Sequence, residues 1–259
     1  MNKLILVLGV LLCTIPSLQA QNIEKKVMLV MDVSTTMLMQ DILPDRFQKS
    51  KDLARLFINE HPDLAIGITV FAGDSKNICA PTKDHTLLQS HLESIKMNEL
   101  KDGTATGSAL LTAASCLKER GGTILLITDG PENCGTVSVS TAIEILKYFH
   151  IKLNVIGLGT NGMAPYPIEN TTGEVEIVSA PTSIDSEYLS KMAKTTGGNY
   201  FEISSEADYA TVIGKYKKPM WLETPRGIKV SNDFHLTEEV IQWVIDKTLG
   251  KEQNLSFPK

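Results

Sequence analysis

The chain has 259 residues, 42% of them hydrophobic, and a formal net charge of −5. That length supports one sizeable core with a small appendage. Acidic and basic residues are mixed and no basic stripe appears, so a nucleic-acid partner has no electrostatic support.

Residues 1–20 read as a secretory leader, with Lys3 as the positive start, an apolar stretch over 4–13 and Ser17-Leu18-Gln19-Ala20 as a small-residue cleavage site. The apolar stretch is shorter than the ~20 residues that a spanning helix needs. No later segment is apolar enough, so the mature chain is expected to have no transmembrane helix and to be exported, either to the periplasm or as a secreted protein. Cleavage removes Cys13 and leaves Cys79, Cys116 and Cys134. Cys116 lies in an Ala-rich helical stretch and reads as a small buried hydrophobe. Cys79 and Cys134 fall in loops expected at one sheet edge, where export permits a disulfide between them; bonded and free thiols both stay open. No C-x-x-C or His-x-x-x-His spacing suggests zinc.

After the leader, apolar strands alternate with amphipathic helices, the pattern of an α/β layer fold. The first strand is expected over 26–31 and a helix over 45–59, where Ser50, Leu53, Ala54 and Phe57 recur at helical spacing. A second strand follows over 65–71, then a short edge strand over 78–82 in which Pro81 is tolerable. A helix over 87–95 comes next, then one over 105–119 with a small-residue inner face, stopped by Gly121-Gly122. Strands over 123–128 and 152–158 flank a helix over 139–149. A hairpin is expected within 166–178, then a helix over 185–195, a sixth strand over 199–203 and a helix over 206–215. The tail from 217 to 259 differs in composition and carries one amphipathic helix over 237–249. The expected organisation is therefore a leader (1–20), one domain (24–216) and a tail (217–259). The strands over 26–31, 123–128 and 152–158 are near-continuous apolar runs, as expected for parallel strands covered on both faces.

Three short segments carry the chemistry. Asp32-Val33-Ser34-Thr35-Thr36 ends the first strand, Thr104 lies in Asp102-Gly103-Thr104-Ala105-Thr106-Gly107, and Asp129 ends the strand over 123–128 in Thr128-Asp129-Gly130. Carboxylates and hydroxyls are hard oxygen donors suited to Mg²⁺, Mn²⁺ or Ca²⁺. The set resembles the metal-ion-dependent adhesion site (MIDAS) of von Willebrand factor type A domains. There the pattern is Asp-x-Ser-x-Ser, a distant Thr and a distant Asp. The resemblance implies metal ligation by Asp32, Ser34, Thr36, Thr104 and Asp129. Thr36 stands where Ser is usual, and its β-branch stiffens χ1.

Phe71-Ala72-Gly73-Asp74-Ser75, Asp102 to Leu110, Gly159 to Pro167 and Thr196-Gly197-Gly198-Asn199-Tyr200-Phe201 further resemble the bacterial aerotolerance-type (Bat) proteins, over about 26–216. The resemblance implies a doubly wound, mostly parallel six-stranded sheet flanked by helices, in strand order 3-2-1-4-5-6. It also implies a protein-binding module of the cell envelope in which a partner presents an Asp or Glu side chain to the metal. Members of that group commonly have flanking membrane helices, where this chain is expected to have a cleavable leader and a soluble tail.

Other motifs argue for less. Gly157-Leu158-Gly159-Thr160-Asn161-Gly162 matches G-x-G-x-x-G, but Met163-Ala164-Pro165-Tyr166-Pro167 follows where a helix must open, so no nucleotide is expected. No G-x-S-x-G elbow is present, and the five histidines are not paired at metal spacing. The enzyme alternative is a Mg²⁺-dependent aspartyl phosphotransferase, which needs a carboxylate two residues after Asp32; Ser34 stands there. The other alternative is a metal-independent scaffold. The reading favoured is a non-enzymatic binding module.

Overall fold

The computed structural model of the protein describes residues 25–117 and 121–216. The expected leader with Cys13 and the expected tail with its helix over 237–249 lie outside the described residues. The elements in chain order are β1 (Lys26–Asp32), a 3-10 turn (Thr35–Leu38), α1 (Arg46–Glu60), β2 (Ala65–Phe71), β3 (Ser75–Thr82), α2 (His85–Ser94), α3 (Thr106–Ser115) and β4 (Gly122–Thr128). They continue with α4 (Val139–Tyr148), β5 (Ile151–Leu158), β6 (Gly162–Glu169), β7 (Val175–Thr182), α5 (Ser186–Thr195), β8 (Tyr200–Ile203) and α6 (Glu206–Tyr216).

Six strands form one sheet in the order β3-β2-β1-β4-β5-β8, and β6 and β7 form a separate hairpin. All neighbours in the large sheet are parallel except β2 and β3. The expected doubly wound, mostly parallel topology is therefore present. The central strands carry apolar side chains at successive positions, and their two-residue period sends these alternately to opposite faces. From β1, Val27, Leu29 and Met31 join one core layer, and Met28 and Val30 join the other. From β4, Leu125 and Ile127 go to the first and Ile124 and Leu126 to the second. Helices α1, α2 and α6 cover the first layer through residues such as Leu53, Phe57, Leu88 and Val212. Helices α3, α4 and α5 cover the second, and Ala109 and Ala113 keep α3 close to the sheet.

Three features differ from expectation. Strand β3 starts at Ser75, three residues before the edge strand expected over 78–82. Its pairing with β2 is antiparallel and shifts register on either side of Ile68, which accommodates Pro81 on an edge strand. The hairpin is also longer than the expected 166–178. Pro165 and Pro167 lie on β6, which still pairs with β7 from Gly162↔Thr182 to Glu169↔Val175. Asn170 organises its turn, accepting from the backbone N–H of Thr172 and of Glu174 at 3.0 and 2.9 Å.

The third difference is the place of Cys79; of the two states left open, the structure has Cys79, Cys116 and Cys134 as free thiols. Cys79 lies inside β3, opposite Ile68. Cys134 lies beyond the strand ends, with Sγ 4.0 Å from the Gly73 carbonyl oxygen. Between those levels runs roughly 10 Å or more of strand at ~3.3 Å per residue, too far for a disulfide, whose Cα atoms lie within ~7 Å. Cys116 caps the end of α3 and is half-buried against the second layer, less enclosed than expected.

Leu29 is completely buried at the centre of β1, whereas Val175 on the hairpin is 70% exposed. We expect Leu29→Ala to lower unfolding stability by ~2–5 kcal/mol and Val175→Ala to change it by less than ~0.5 kcal/mol. Urea titrations followed by circular dichroism measure both; equal losses would contradict this layering.

Candidate metal centre

The parallel register of β1 with β4 pairs Met31 with Ile127, so the next residues, Asp32 and Thr128, end side by side. Asp32 is completely buried. One of its carboxylate oxygens accepts from the Ser34 backbone N–H at 2.9 Å, and the other from the Thr128 hydroxyl at 2.6 Å. The 3-10 turn after Ser34 folds the chain back on itself. The Ser34 and Thr36 hydroxyls meet at 3.2 Å, and the Thr36 hydroxyl donates to Asp129 Oδ1 at 3.1 Å. Hydrogen bonds thus run from Thr128 through Asp32, Ser34 and Thr36 to Asp129. Asp32 and Ser34 form the floor of this crevice, and Thr36 lies exposed at its rim.

Thr104 reaches the same strand edge by its backbone. Its N–H donates to Asn133 Oδ1 at 2.8 Å, and its carbonyl accepts from the Asn133 N–H at 3.1 Å. Gly73 donates to the Lys101 carbonyl at 2.7 Å, and a Cβ on Gly73 would come within 2.2 Å of the Asp102 carbonyl oxygen. A glycine is therefore required for the β2 and α3 loops to close on each other. The Thr35 hydroxyl ties these loops to the site by donating to Asp102 Oδ1 at 3.1 Å. Among the described residues, the Thr104 hydroxyl makes no hydrogen bond to the other four proposed ligands.

Two residues here escaped the sequence reading. Glu132 places one oxygen 3.0 Å from the Gly107 N–H and the other 3.0 Å from the Val139 N–H. One carboxylate thereby caps the starts of α3 and α4, and the residue before α3, Ala105, offers no side-chain cap of its own.

The second is Arg46, which is 2% exposed. Its Nη1 donates to Asp129 Oδ2 at 2.8 Å, and its Nε donates to Asp41 Oδ1 at 2.8 Å. Its Nη2 reaches both Asp41 Oδ2 and, at 2.6 Å, the Thr182 hydroxyl at the end of the hairpin. Asp41 Oδ2 also accepts from the Thr160 N–H and hydroxyl at 2.8 and 2.9 Å. A Cβ on Gly159 would lie 2.9 Å from the guanidinium carbon, so this glycine of the G-x-G-x-x-G stretch makes room for Arg46. A signal existed in the sequence. Arg46 is the first residue of α1, where the helix dipole favours acids.

The electrostatics are uneven. Burial, and next the charge of Asp129, push the Asp32 carboxyl up to about 7, against hydrogen bonds from Ser34 and Thr128. Burial also raises Asp129, although Arg46 opposes it. Burial works against the Asp41 charge too, but its bonds and charge pairing with Arg46 win and hold it below the ordinary carboxylate range. Among the described residues, Asp32 has hydrogen-bond donors beside it but no ion-pair partner. A hard divalent cation fits that set, with carboxylates and hydroxyls as donors and buried negative charge left to neutralise.

Residues 27–132 match the family model of the von Willebrand factor type A domain. An aerotolerance-related membrane protein from Bacteroides fragilis, solved with multiple mutations to serines, is 31% identical with a TM-score of 0.61; the match covers 74% of this chain and 99% of that one. This chain belongs to the von Willebrand factor type A domain family. Within the family it is similar to the aerotolerance-related proteins. It is also 28% identical over 220 residues to a UPF0353 protein from Mycobacterium marinum, over 78% of this chain but 62% of that protein's length. Proximal thread matrix protein 1 from the mussel byssus shares the fold at 16% identity and a TM-score of 0.55, covering 75% of this chain and 45% of that one. The mussel protein has zinc in its MIDAS motif. No helix among the described residues of this type A domain is long and apolar enough to cross a membrane.

The raised Asp32 has a consequence for the metal-free domain. The folded state keeps a proton that the unfolded chain releases near pH ~4. The Asp32 contribution to stability in chelator is therefore fully present below that pH and is lost as pH rises toward about 7. Asp32→Asn removes this loss, and in chelator at pH 8 it should exceed wild type by on the order of a few kcal/mol. Urea midpoints across pH 4–8 test this; a wild type that gains stability over that range would contradict it.

Proposed function

We propose that this type A domain is a metal-ion-dependent protein-binding module. The observation that carries the reading is a completely buried carboxylate, Asp32, beside a second one, Asp129, with a line of hydroxyls rising from it to an exposed rim. Asp32, Ser34, Thr36, Thr104 and Asp129 would hold Mg²⁺, Mn²⁺ or Ca²⁺. A bound ion would offer a partner's Asp or Glu side chain an electrophilic coordination position. The loops over 35–45, 101–106 and 130–139 surround the crevice and would supply specificity. The zinc-bearing MIDAS motif of the mussel protein supports metal binding within this fold. Similarity to a Bacteroides fragilis membrane protein supports service at the cell envelope after export, periplasmic or secreted, in line with the leader read from residues 1–20.

Calorimetric titration of Mg²⁺ and Mn²⁺ into the full chain, beside Asp32→Ala, tests the centre. Saturable heat is expected from the wild type, with at least a tenfold loss of affinity, roughly the ~1.4 kcal/mol of one missing charged ligand contact, in the variant. Equal heat from both would remove the site.

A metal-independent scaffold is the second reading, favoured by the apolar residues Met163, Val175 and Ile177 exposed on the hairpin. Partner capture in the presence of chelator separates the two, because undiminished capture supports the scaffold. For aspartyl phosphotransfer, Ser34 still stands where the second carboxylate is needed, and Asp32→Asn in a phosphatase assay tests that activity.

A further inference from the structure

We propose that Arg46 is a positioning residue of the metal centre, a resident counter-charge shared between Asp129 and Asp41 that sets how tightly the site holds a divalent cation. This rests on the metal reading above and adds a determinant of affinity that is not itself a ligand.

The geometry divides Asp129 in two. Oδ1 faces the Thr36 hydroxyl and the crevice, and Oδ2 faces Arg46 Nη1. The guanidinium is in turn held by Asp41 through a two-pronged contact on its other edge. Asp41 and Asp129 therefore compete for one positive charge, and whatever Asp41 draws is withheld from Asp129. Three carboxylates (Asp32, Asp41 and Asp129) and one guanidinium leave two negative charges when all are ionised, which one divalent ion balances. All four side chains are almost entirely enclosed, so water screens them weakly.

The placement also runs against local preference. A cation as first residue of a helix opposes the dipole, and Gly159 is needed to clear space for it. Such departures are expected where a site requires them. Packing alone would be met by an apolar side chain of similar length, without the cost of burying a charge.

The counter-charge role predicts opposite signs from two substitutions that break the same ion pair. Removing the arginine exposes both oxygens of Asp129 to the site. Neutralising Asp41 gives Asp129 the whole of the arginine. Mn²⁺ titration of the chelator-stripped full chain should therefore show R46Q binding on the order of tenfold tighter than wild type and D41N on the order of tenfold weaker. D41N/R46Q removes the pair as a neutral unit and should return to within about threefold of wild type, and R46K, which keeps the charge, should also stay near it.

A packing role alone would weaken binding in every variant. The proposal is overturned if R46Q binds more weakly than wild type, or if D41N/R46Q binds no tighter than D41N. If circular dichroism shows that R46Q does not fold, the comparison of D41N with D41N/R46Q decides, since adding R46Q to D41N must tighten binding. No heat from the wild type or any variant would remove the metal reading itself and this proposal with it. Metal binding by the wild type with all variants weakened would overturn the proposal alone.

Discussion

Two carboxylates are buried within reach of each other at the ends of β1 and β4, and much of the upper sheet edge is arranged around that repulsion. The parallel register fixes Asp32 next to Thr128, and the turn after Ser34 brings Thr36 to Asp129. Hydrogen bonds spread each charge, and Arg46 offsets one of them. A cluster of that kind is costly in an apolar interior unless something positive completes it. The domain therefore concentrates local instability at the one edge where loops from both halves of the doubly wound sheet meet, which is where ligands of such folds are found.

The fold was largely legible in the sequence because its signals are local. The apolar runs of β1, β4 and β5 and the helical spacing of Leu53, Ala54 and Phe57 each report a periodicity within a few turns of chain. Errors arose where a local rule has a tertiary exception. The hairpin expected within 166–178 extends further because Pro165 and Pro167 sit on a two-stranded ribbon whose outer side needs few donors; there the Pro165 carbonyl accepts from the Gln40 N–H at 2.9 Å. Cys79 was read at the same sheet edge as Cys134, but the pairing of β3 with β2 sets it opposite Ile68, well below the strand ends.

The site was legible in part. Asp32, Ser34, Thr36 and Asp129 carry the chemistry in their own side chains, and residue type and position at a strand end sufficed to single them out. Thr104 was singled out with its segment, but its approach to the strand edge was not legible, since that depends on Gly73 and Asn133, remote in sequence. Arg46 and Glu132 were not found, because each acts on groups at least 25 residues away except for its nearest neighbours, Asp41 and Val139. An arginine opening a helix and a helix start without its own cap were the two faint local anomalies that pointed to them.

The rims of the large sheet have a different bearing. One rim is β3, kinked by two shifts in pairing and interrupted by Pro81; the other is β8, only four residues long. Neither presents a straight row of idle amides on which a neighbouring copy could build, a common route by which β-rich chains clump. Among the described residues, edge-to-edge growth of the large sheet is therefore disfavoured at both rims.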